Sequence, residues 1–242
     1  MAKLKQKPQK QAKSQPASSG PAPADKPSWP PIKPLPLHAE PHPSVPDKIL
    51  LIPNFFPPSL CRAYLSFVRG LPLATTPGRP KKGEAVRVND RFQVDDEVFA
   101  GKLYEVLKGV LQDPQFAHLW GGQVIGLNPN IRVYRYSKSQ FFDCHYDDSN
   151  DVTLSSRPAR TTWTLLLYLT SSSPTPQENE CAGGETVFYP RGRRSERDAL
   201  VVAPEAGTVL LHKHGDDCML HEGREVTAGE KWILRTDVCI ER

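Results

Sequence analysis

Three residues of metal-binding types occur in two separate parts of the sequence. His145 and Asp147 form a His-x-Asp pair, and His221 follows far downstream. Two imidazoles and one carboxylate on one side of a metal form the facial triad that holds non-haem Fe(II) and leaves the opposite face open for a co-substrate and dioxygen. The sequence therefore predicts a metal site at these three residues, and with it an enzyme.

A His-x-Asp pair on its own is a weak signal, because the same spacing is common in surface pairs and turns. The downstream histidine carries more context, since Lys231 follows it at a distance of ten residues and is preceded by Gly229-x. The segment 231–240 reads as a strand, and a cation on it near the distal metal ligand could neutralise the far carboxylate of a buried dicarboxylic co-substrate. Iron and 2-oxoglutarate are thus implied together.

These residues give the chain a resemblance to the prolyl 4-hydroxylase-like group of 2-oxoglutarate and Fe(II)-dependent dioxygenases, over residues from about 128 to 239. The three motifs that carry it are Tyr136-x8-His145-x-Asp147, Gly183-Gly184-Glu185-Thr186-Val187-Phe188 (G-G-x-T-x-F in the family) and His221-x7-Gly229-x-Lys231.

The resemblance implies that His145, Asp147 and His221 hold Fe(II), with 2-oxoglutarate and O2 as co-substrates and ascorbate as a reductant. Oxidative decarboxylation would then yield succinate and CO2 while an aliphatic carbon is hydroxylated. The chemistry belongs to the cofactors, so the protein has to position them and exclude water.

The resemblance also implies a set of residues around 2-oxoglutarate. Lys231 would pair with its distal carboxylate, and Tyr136 and Tyr168 stand where the family often places phenol donors. Arg235 departs from the pattern, because it lies four residues beyond Lys231 on the same face of an alternating strand. It could share or take over the anchoring role, and the sequence leaves that choice open.

Two other histidines compete with His221 for the distal ligand position. His212 and His214 come at the end of a predicted strand and could be core or rim residues instead. Only His221 has the Gly229-x-Lys231 arrangement at the expected distance, so it is the predicted ligand.

The N-terminal part of the chain differs in composition from the rest. The first 47 residues hold 12 of the 25 prolines and few apolar clusters. Such a segment cannot bury enough surface to offset the entropy lost on ordering. Residues 1–46 are therefore predicted to be a disordered Lys/Pro-rich tail that could bind proline-recognising modules, with polyproline II character near residues 30–36.

The charge distribution and the cysteines indicate which binding partners and which cellular compartment to expect. The tail carries about as much positive charge as the whole chain, whose net charge is +4, so the folded body is near neutral, which does not favour a nucleic-acid groove. No apolar segment suggests a secretory signal or a membrane span. Five scattered cysteines without C-x-x-C spacing read as reduced thiols, and a cytoplasmic or nuclear location is expected.

The remainder, residues 47–242, is predicted to form one dioxygenase domain. Its first part, 47–120, should contribute a strand at 48–52 and outer helices at 60–69 and 98–111, where apolar residues recur at helical spacing. Its second part, 121–242, should be a double-stranded β-helix, that is, a jelly-roll or cupin-like core, so the fold class is mainly β with flanking helices. The predicted core strands lie at 131–136, 162–169, 186–189, 200–202, 208–212 and 231–240.

The sequence leaves three functions open. The first is hydroxylation of a prolyl or other side chain of a protein or peptide. The second is oxidative demethylation of a nucleic-acid base, which the basic tail permits. The third is a catalytically silent β-barrel binding module, against which Lys231 beside His221 weighs, since a binding module has no need of it.

Overall fold

The computed structural model describes residues 26–76 and 85–242. Its two helices are α1 (Pro58–Arg69) and α2 (Glu97–Leu111). The strands are β1 (Glu40–Pro41), β2 (Ile49–Ile52), β3 (Ala74–Thr75), β4 (Arg87–Val88), β5 (Asp90–Asp95), β6 (Val124–Leu127), β7 (Asn130–Ser137), β8 (Phe141–His145), β9 (Asp151–Leu154), β10 (Arg157–Tyr168), β11 (Ser171–Ser172), β12 (Glu180–Gly183), β13 (Thr186–Tyr189), β14 (Leu200–Val202), β15 (Val209–Lys213), β16 (Leu220–Gly223) and β17 (Val226–Glu241).

The larger of two sheets is built around β17, its longest strand. The main path runs β1-β2-β15-β10-β17-β7-β5-β3, and neighbouring strands on it are antiparallel. Side chains alternate between the two faces of a strand. Lys231 and Arg235 therefore share one face of β17, as the sequence predicts, while Trp232 and Leu234 share the other.

The smaller sheet faces the larger one, in the order β14-β13-β16-β8-β4. A cavity between the sheets is lined by Tyr134 and Lys231 of the larger sheet and by His145 and His221 of the smaller one. This is the jelly-roll core that the periodicity of two predicts, and the mainly β fold class with outer helices is confirmed.

The helices pack on the outer face of the larger sheet. Buried residues of α1 and α2, such as Tyr64 and Leu103, join one apolar cluster with Trp232 and Leu234. Proline at the start of α1 suits a first turn, whose backbone N–H groups have no partner within the helix. In α2 the side chain of Asp96 accepts a hydrogen bond from the backbone N–H of Phe99 at 3.0 Å and caps the helix.

The C-terminal part of the predicted tail is ordered against this outer layer, which corrects the prediction of disorder up to residue 46. Trp29 stacks on Phe99 with ring centroids 4.2 Å apart, and its Nε1 donates to Asp96 Oδ2 at 3.0 Å. The hydroxyl of Tyr64 donates to the carbonyl oxygen of Pro30 at 2.8 Å. A few apolar side chains among the prolines are enough to dock the segment. Residues 1–25 lie outside the described part of the chain.

Gly229 is required by the close approach of β12 to β17. Its φ is +67°, a conformation that other residues rarely adopt, and a Cβ atom would lie 2.2 Å from the carbonyl oxygen of Glu180. In the Gly-x-Lys motif, Gly229 thus allows the two strands to pair, and Lys231 is the residue with a candidate chemical role.

All the helices and strands predicted from periodicity are present, with shifts at their ends. The strands missed are short or irregular, notably β5, β8 and β16. Within the described residues, no helix has the length and apolar character that crossing a membrane requires. All five cysteines are free.

Candidate metal centre

Two histidines are brought side by side by strand pairing in the smaller sheet. His145 is the last residue of β8, and it lies opposite His221 of β16 in the antiparallel register. Their ring centroids are 4.2 Å apart. The Nδ1 atom of His145 is 2.7 Å from the carbonyl oxygen of Asp143, and that of His221 is 2.9 Å from the carbonyl oxygen of Met219. If each Nδ1 carries the proton and donates to its carbonyl, each Nε2 presents a lone pair to the cavity.

Asp147 completes the cluster from just beyond the end of β8. Alternation along a continued strand would place the side chains of His145 and Asp147 on one face, but β8 ends at His145. The carboxylate nevertheless turns toward both imidazoles, with Oδ1 3.7 Å from Nε2 of His145 and Oδ2 3.8 Å from Nε2 of His221. The three side chains that the sequence predicts as ligands therefore meet in the structure.

Burial and neighbouring charges set the protonation states needed for metal binding. Burial lowers the pKa of His145 to about 3, assisted by the charge of His221, and burial also lowers the pKa of His221. Burial opposes ionisation of Asp147, but Arg235 and the surrounding histidines hold the pKa of its carboxyl well below the usual range. At neutral pH the cluster therefore offers two neutral imidazoles and one carboxylate.

This donor set fits a divalent transition-metal ion. The ligand atoms of His145, Asp147 and His221 all lie within 4.8 Å of one another. Two atoms that are each about 2.1 Å from one ion are roughly 3.0 Å apart when they subtend a right angle and roughly 4.2 Å apart when they lie opposite each other. The observed separations of 3.7 and 3.8 Å fall within that range. Two imidazoles and one carboxylate on one side are the donors of the non-haem iron facial triad.

A hydrogen-bond network behind Asp147 fixes its orientation. Arg235 Nη2 donates to Asp147 Oδ2 at 2.9 Å, and the hydroxyl of Thr164 donates to the same oxygen at 2.8 Å. His214 is 3.0 Å from Thr164 through Nδ1 and 3.0 Å from the hydroxyl of Thr161 through Nε2. His214 is therefore a satisfied core residue that supports the cluster from behind, one of the two roles that the sequence leaves open for it.

Lys231 lies in the same cavity with its ammonium group fully enclosed. Its Nζ donates to the carbonyl oxygen of Gly184 at 2.5 Å and lies 5.6 Å and 5.7 Å from the ring centroids of Tyr136 and Tyr168. Burial lowers the pKa of Lys231 to about 8. Among the described residues no carboxylate forms an ion pair with it. A buried cation of this kind can bind an anionic ligand that enters the cavity.

The two tyrosines and Arg235 differ in how well they suit a role beside Lys231. Tyr136 and Lys231 lie opposite each other in the register of β7 and β17, and both line the cavity. The hydroxyl of Tyr168 is 2.7 Å from the hydroxyl of Thr186, which lines the cavity too. Arg235 is bound to Asp147, so its guanidinium is engaged at the metal cluster and does not stand beside Lys231. The suggestion that it takes over anchoring has no support in this geometry.

His212, which the sequence analysis sets aside as a core or rim residue, lies in the site. It lines the cavity, its Nε2 is 3.7 Å from Asp147 Oδ2, and its ring centroid is 4.6 Å from that of His221. It is buried, and its Nδ1 has no hydrogen-bond partner among the described residues. The sequence offers one signal for it, an alternating pattern in β15 that turns His212 to the inner face opposite Thr164.

A model of a known protein family matches the part of the chain that contains this cluster. The family model of the 2OG-Fe(II) oxygenase superfamily matches residues 131–236. That range includes His145, Asp147, His221, Lys231 and Arg235. A comparison with curated protein sequences finds no match.

Solved structures of the same fold include several prolyl hydroxylases. The viral collagen prolyl hydroxylase of Paramecium Bursaria Chlorella virus-1, in its 2OG complex, is 20% identical with a TM-score of 0.53, covering 80% of this chain and 96% of that one. A Pseudomonas putida prolyl-4-hydroxylase is 16% identical with a TM-score of 0.55, covering 81% and 94%. A Trichoplax adhaerens prolyl hydroxylase, in complex with a hypoxia inducible factor peptide fragment, is 17% identical with a TM-score of 0.51, covering 79% and 84%. At these identities the likeness concerns the fold.

Proposed function

We propose that this chain, a 2-oxoglutarate- and Fe(II)-dependent dioxygenase by its family match, hydroxylates an aliphatic carbon of a prolyl or other side chain in a peptide or protein. The observation that carries the proposal is the convergence of His145, Asp147 and His221 in one cavity with the buried cation of Lys231. A metal-binding face and an anion-binding cation in one enclosed space are what a chelated keto acid with a second carboxylate requires.

In this proposal His145, Asp147 and His221 bind Fe(II), and the family uses 2-oxoglutarate and O2 with it. When bound, these cofactors supply the oxidation of a C–H bond to an alcohol, with 2-oxoglutarate converted to succinate and CO2. Asp143 and Met219 hold the two imidazoles by their backbone carbonyls, so that each Nε2 points into the cavity. Such outer contacts fix the tautomer and the ring orientation of metal-binding histidines.

Lys231 would bind the distal carboxylate of the co-substrate. The ammonium group would exchange or share its contact with the carbonyl oxygen of Gly184 for the carboxylate, which satisfies a cation that is costly to bury alone. Tyr136 and Thr186 border the same space and supply hydroxyl groups, and the hydroxyl of Tyr168 is hydrogen-bonded to that of Thr186. Apolar side chains, including Phe142, Leu166 and Ile233, form part of the remaining wall and would help to exclude water from the reaction.

The peptide substrate, the reductant and the compartment are further parts of the proposal. A peptide is favoured because the Trichoplax adhaerens enzyme of this fold was solved with a peptide fragment. Ascorbate is proposed as the reductant that restores activity after uncoupled turnover. A cytoplasmic or nuclear location and a role of the N-terminal tail in recruiting proline-recognising modules are proposed from the sequence.

Turnover of 2-oxoglutarate tests the activity before any substrate is known. We expect purified protein with Fe(II), ascorbate and O2 to convert 2-oxoglutarate slowly to succinate, and the Asp147→Ala variant to produce none. The matched control is Asp47→Ala, a change at an exposed aspartate away from the cavity. Succinate formation by Asp147→Ala at the wild-type rate would show that the cluster is not the reaction centre.

Two other functions give different results in the same assay. A nucleic-acid base demethylase would accelerate succinate formation with methylated oligonucleotides and not with peptides. A catalytically silent binding module would form no succinate even though it folds. The buried charge of Lys231, which pairs with no carboxylate among the described residues, argues against the silent module, because such a charge destabilises a protein that does not use it.

A further inference from the structure

A wide cleft leads from the solvent to the metal cluster and is lined by four arginines. Its volume is about 1360 Å³, which exceeds the roughly 300–1000 Å³ of pockets for small ligands. His145 and Asp147 lie at its inner end. The acidic residues of its lining are Asp147 and the exposed Asp148, and the arginines are Arg87, Arg91, Arg132 and Arg235.

Two of these arginines are neutralised by buried carboxylates and two are not. Arg235 is paired with Asp147, and Arg132 is paired with Asp237 at 2.5 Å. Arg87 and Arg91 form no ion pair with any residue in the described ranges; Arg91 donates to the side chain of Gln93. Among the described residues, the positive charge of the cleft that no carboxylate neutralises is therefore that of Arg87 and Arg91.

These two arginines come from opposite sheets. Arg87 is in β4 at the edge of the smaller sheet, whereas Arg91 is in β5 of the larger sheet, opposite Tyr134 in the register with β7. Burial favours the neutral form of Tyr134, but its pKa is lowered by four guanidinium groups, those of Arg235, Arg132, Arg87 and Arg91. A chain entering between the sheets would meet positive charge on both sides.

A stack of side chains connects the guanidinium group of Arg87 with the candidate metal centre. The guanidinium carbon of Arg87 lies 4.8 Å from the ring centroid of Phe142, and the Phe142 ring stacks on His145 at 3.5 Å. Only one aromatic ring therefore separates Arg87 from a candidate metal ligand. An extended peptide advances about 3.3–3.6 Å per residue, so a side chain that reaches Arg87 belongs to a residue about one to three positions from the one that reacts.

We propose that the substrate is a peptide with acidic side chains next to the hydroxylated residue, and that Arg87 and Arg91 bind these carboxylates. The inference rests on the proposed function and deepens it. Guanidinium groups bind carboxylates with two parallel hydrogen bonds, which sets the register of a bound chain as well as its charge preference. The size of the cleft favours a polypeptide over a small anion.

A charge-swap experiment tests the proposal without turnover. Full-length protein loaded anaerobically with Mn(II) and 2-oxoglutarate is titrated into two fluorescein-labelled peptides, which share a central proline and differ in carrying glutamate or lysine at the three positions on each side. We expect the wild type to bind the glutamate peptide at least tenfold more tightly. The double variant Arg87→Glu/Arg91→Glu should reverse that preference, and the control Arg62→Glu, at an exposed position on α1, should leave it unchanged.

Gain of affinity for the lysine peptide is a result that a merely misfolded variant cannot give. Equal binding of the two peptides by the wild type, or a glutamate preference that survives the double variant, would overturn the proposal. So would displacement of the glutamate peptide by a single-stranded oligonucleotide of equal charge at equal or lower concentration, because the site would then bind nucleic acid. Failure here with normal succinate formation leaves the dioxygenase activity standing, so the two proposals can be told apart.

Discussion

At the scale of single residues, the candidate metal centre requires neighbouring buried groups to have different charge states. The imidazoles of His145 and His221 must stay neutral and Asp147 must stay ionised, and one enclosed space achieves both. Burial alone would neutralise all three, but Arg235 keeps the carboxyl charged. Arg235 therefore contributes to the metal cluster through Asp147, in a role different from the anchoring that its place on the strand suggests.

Removal of the Lys231 charge should affect the co-substrate and leave the metal largely untouched. We expect Lys231→Ala to weaken 2-oxoglutarate binding by roughly 100-fold, since loss of one partner of a buried charge pair costs about 2–5 kcal/mol. Metal affinity should change by less than about threefold, because Lys231 does not contact the cluster. Isothermal titration with Mn(II) and then 2-oxoglutarate measures both. Lys102→Ala, at an exposed lysine on α2, is the control, and an unchanged 2-oxoglutarate affinity in Lys231→Ala would refute the anchoring role.

The lowered pKa of Lys231 predicts how co-substrate affinity depends on pH. Without ligand its pKa is about 8, and a bound carboxylate favours the charged form and raises that pKa. Above about pH 8, binding must therefore take up a proton, so the affinity for 2-oxoglutarate should be constant below about pH 7 and fall by up to about tenfold per pH unit above pH 8.

The matched variant for this pH profile is Lys231→Arg, whose side chain keeps its charge across the range. Its affinity, even if lower overall, should show no fall between pH 8 and 9.5. A wild-type profile that is flat over the same interval would contradict the assignment of the buried ammonium group to the co-substrate carboxylate.

At the scale of elements, β17 connects the outer layer to the site. One face of this strand packs against the helices through Trp232 and Leu234, and the other carries Lys231 and Arg235 into the cavity. The docked segment around Trp29 extends the outer layer by covering α2 at its N-terminus. The position of Lys231 thus depends on contacts made on the opposite side of the sheet.

The docked tail can be tested by its effect on stability. We expect Trp29→Ala to lower the free energy of unfolding by about 2 kcal/mol, less than for a fully buried tryptophan because the side chain is partly exposed. Trp29→Phe should retain the stack on Phe99 and lose only the hydrogen bond to Asp96, at about 1 kcal/mol. Urea unfolding followed by far-UV circular dichroism gives both values. If Trp29→Ala unfolds at the wild-type midpoint, the segment is not docked in solution.

The sequence predicts individual strands and local motifs but not the contacts between strands that are distant in sequence. Periodicity identifies β7, β10 and β17, because long strands with one buried face carry a regular pattern. The spacing of Gly229 and Lys231 selects His221 over its competitors because that motif is local. The engagement of Arg235 with Asp147 and the approach of His212 are contacts across strands far apart in sequence, which no local pattern encodes. Trp29 was missed because its proline-rich surroundings dominate the composition.

At the scale of the whole molecule, the two sheets enclose separate spaces for the proposed co-substrate and the proposed substrate. The cavity holds Lys231, the wide cleft holds Arg87 and Arg91, and His145 and Asp147 border both spaces. A keto acid chelated at the cluster and a polypeptide approaching from the cleft would therefore meet at the metal. Positive charge is concentrated at both ends of this path, although the folded body as a whole is near neutral by its sequence.

Anaerobic titration with Fe(II) and 2-oxoglutarate tests the central claim most directly. A keto acid chelated to Fe(II) gives a weak visible charge-transfer band, so we expect the band in the wild type only when both ligands are present. It should persist in His118→Ala, a change at an exposed histidine, and disappear in His221→Ala. A folded wild-type protein that gives no band, or a His221→Ala variant that keeps it, would contradict the assignment of the cavity as an Fe(II) and 2-oxoglutarate site.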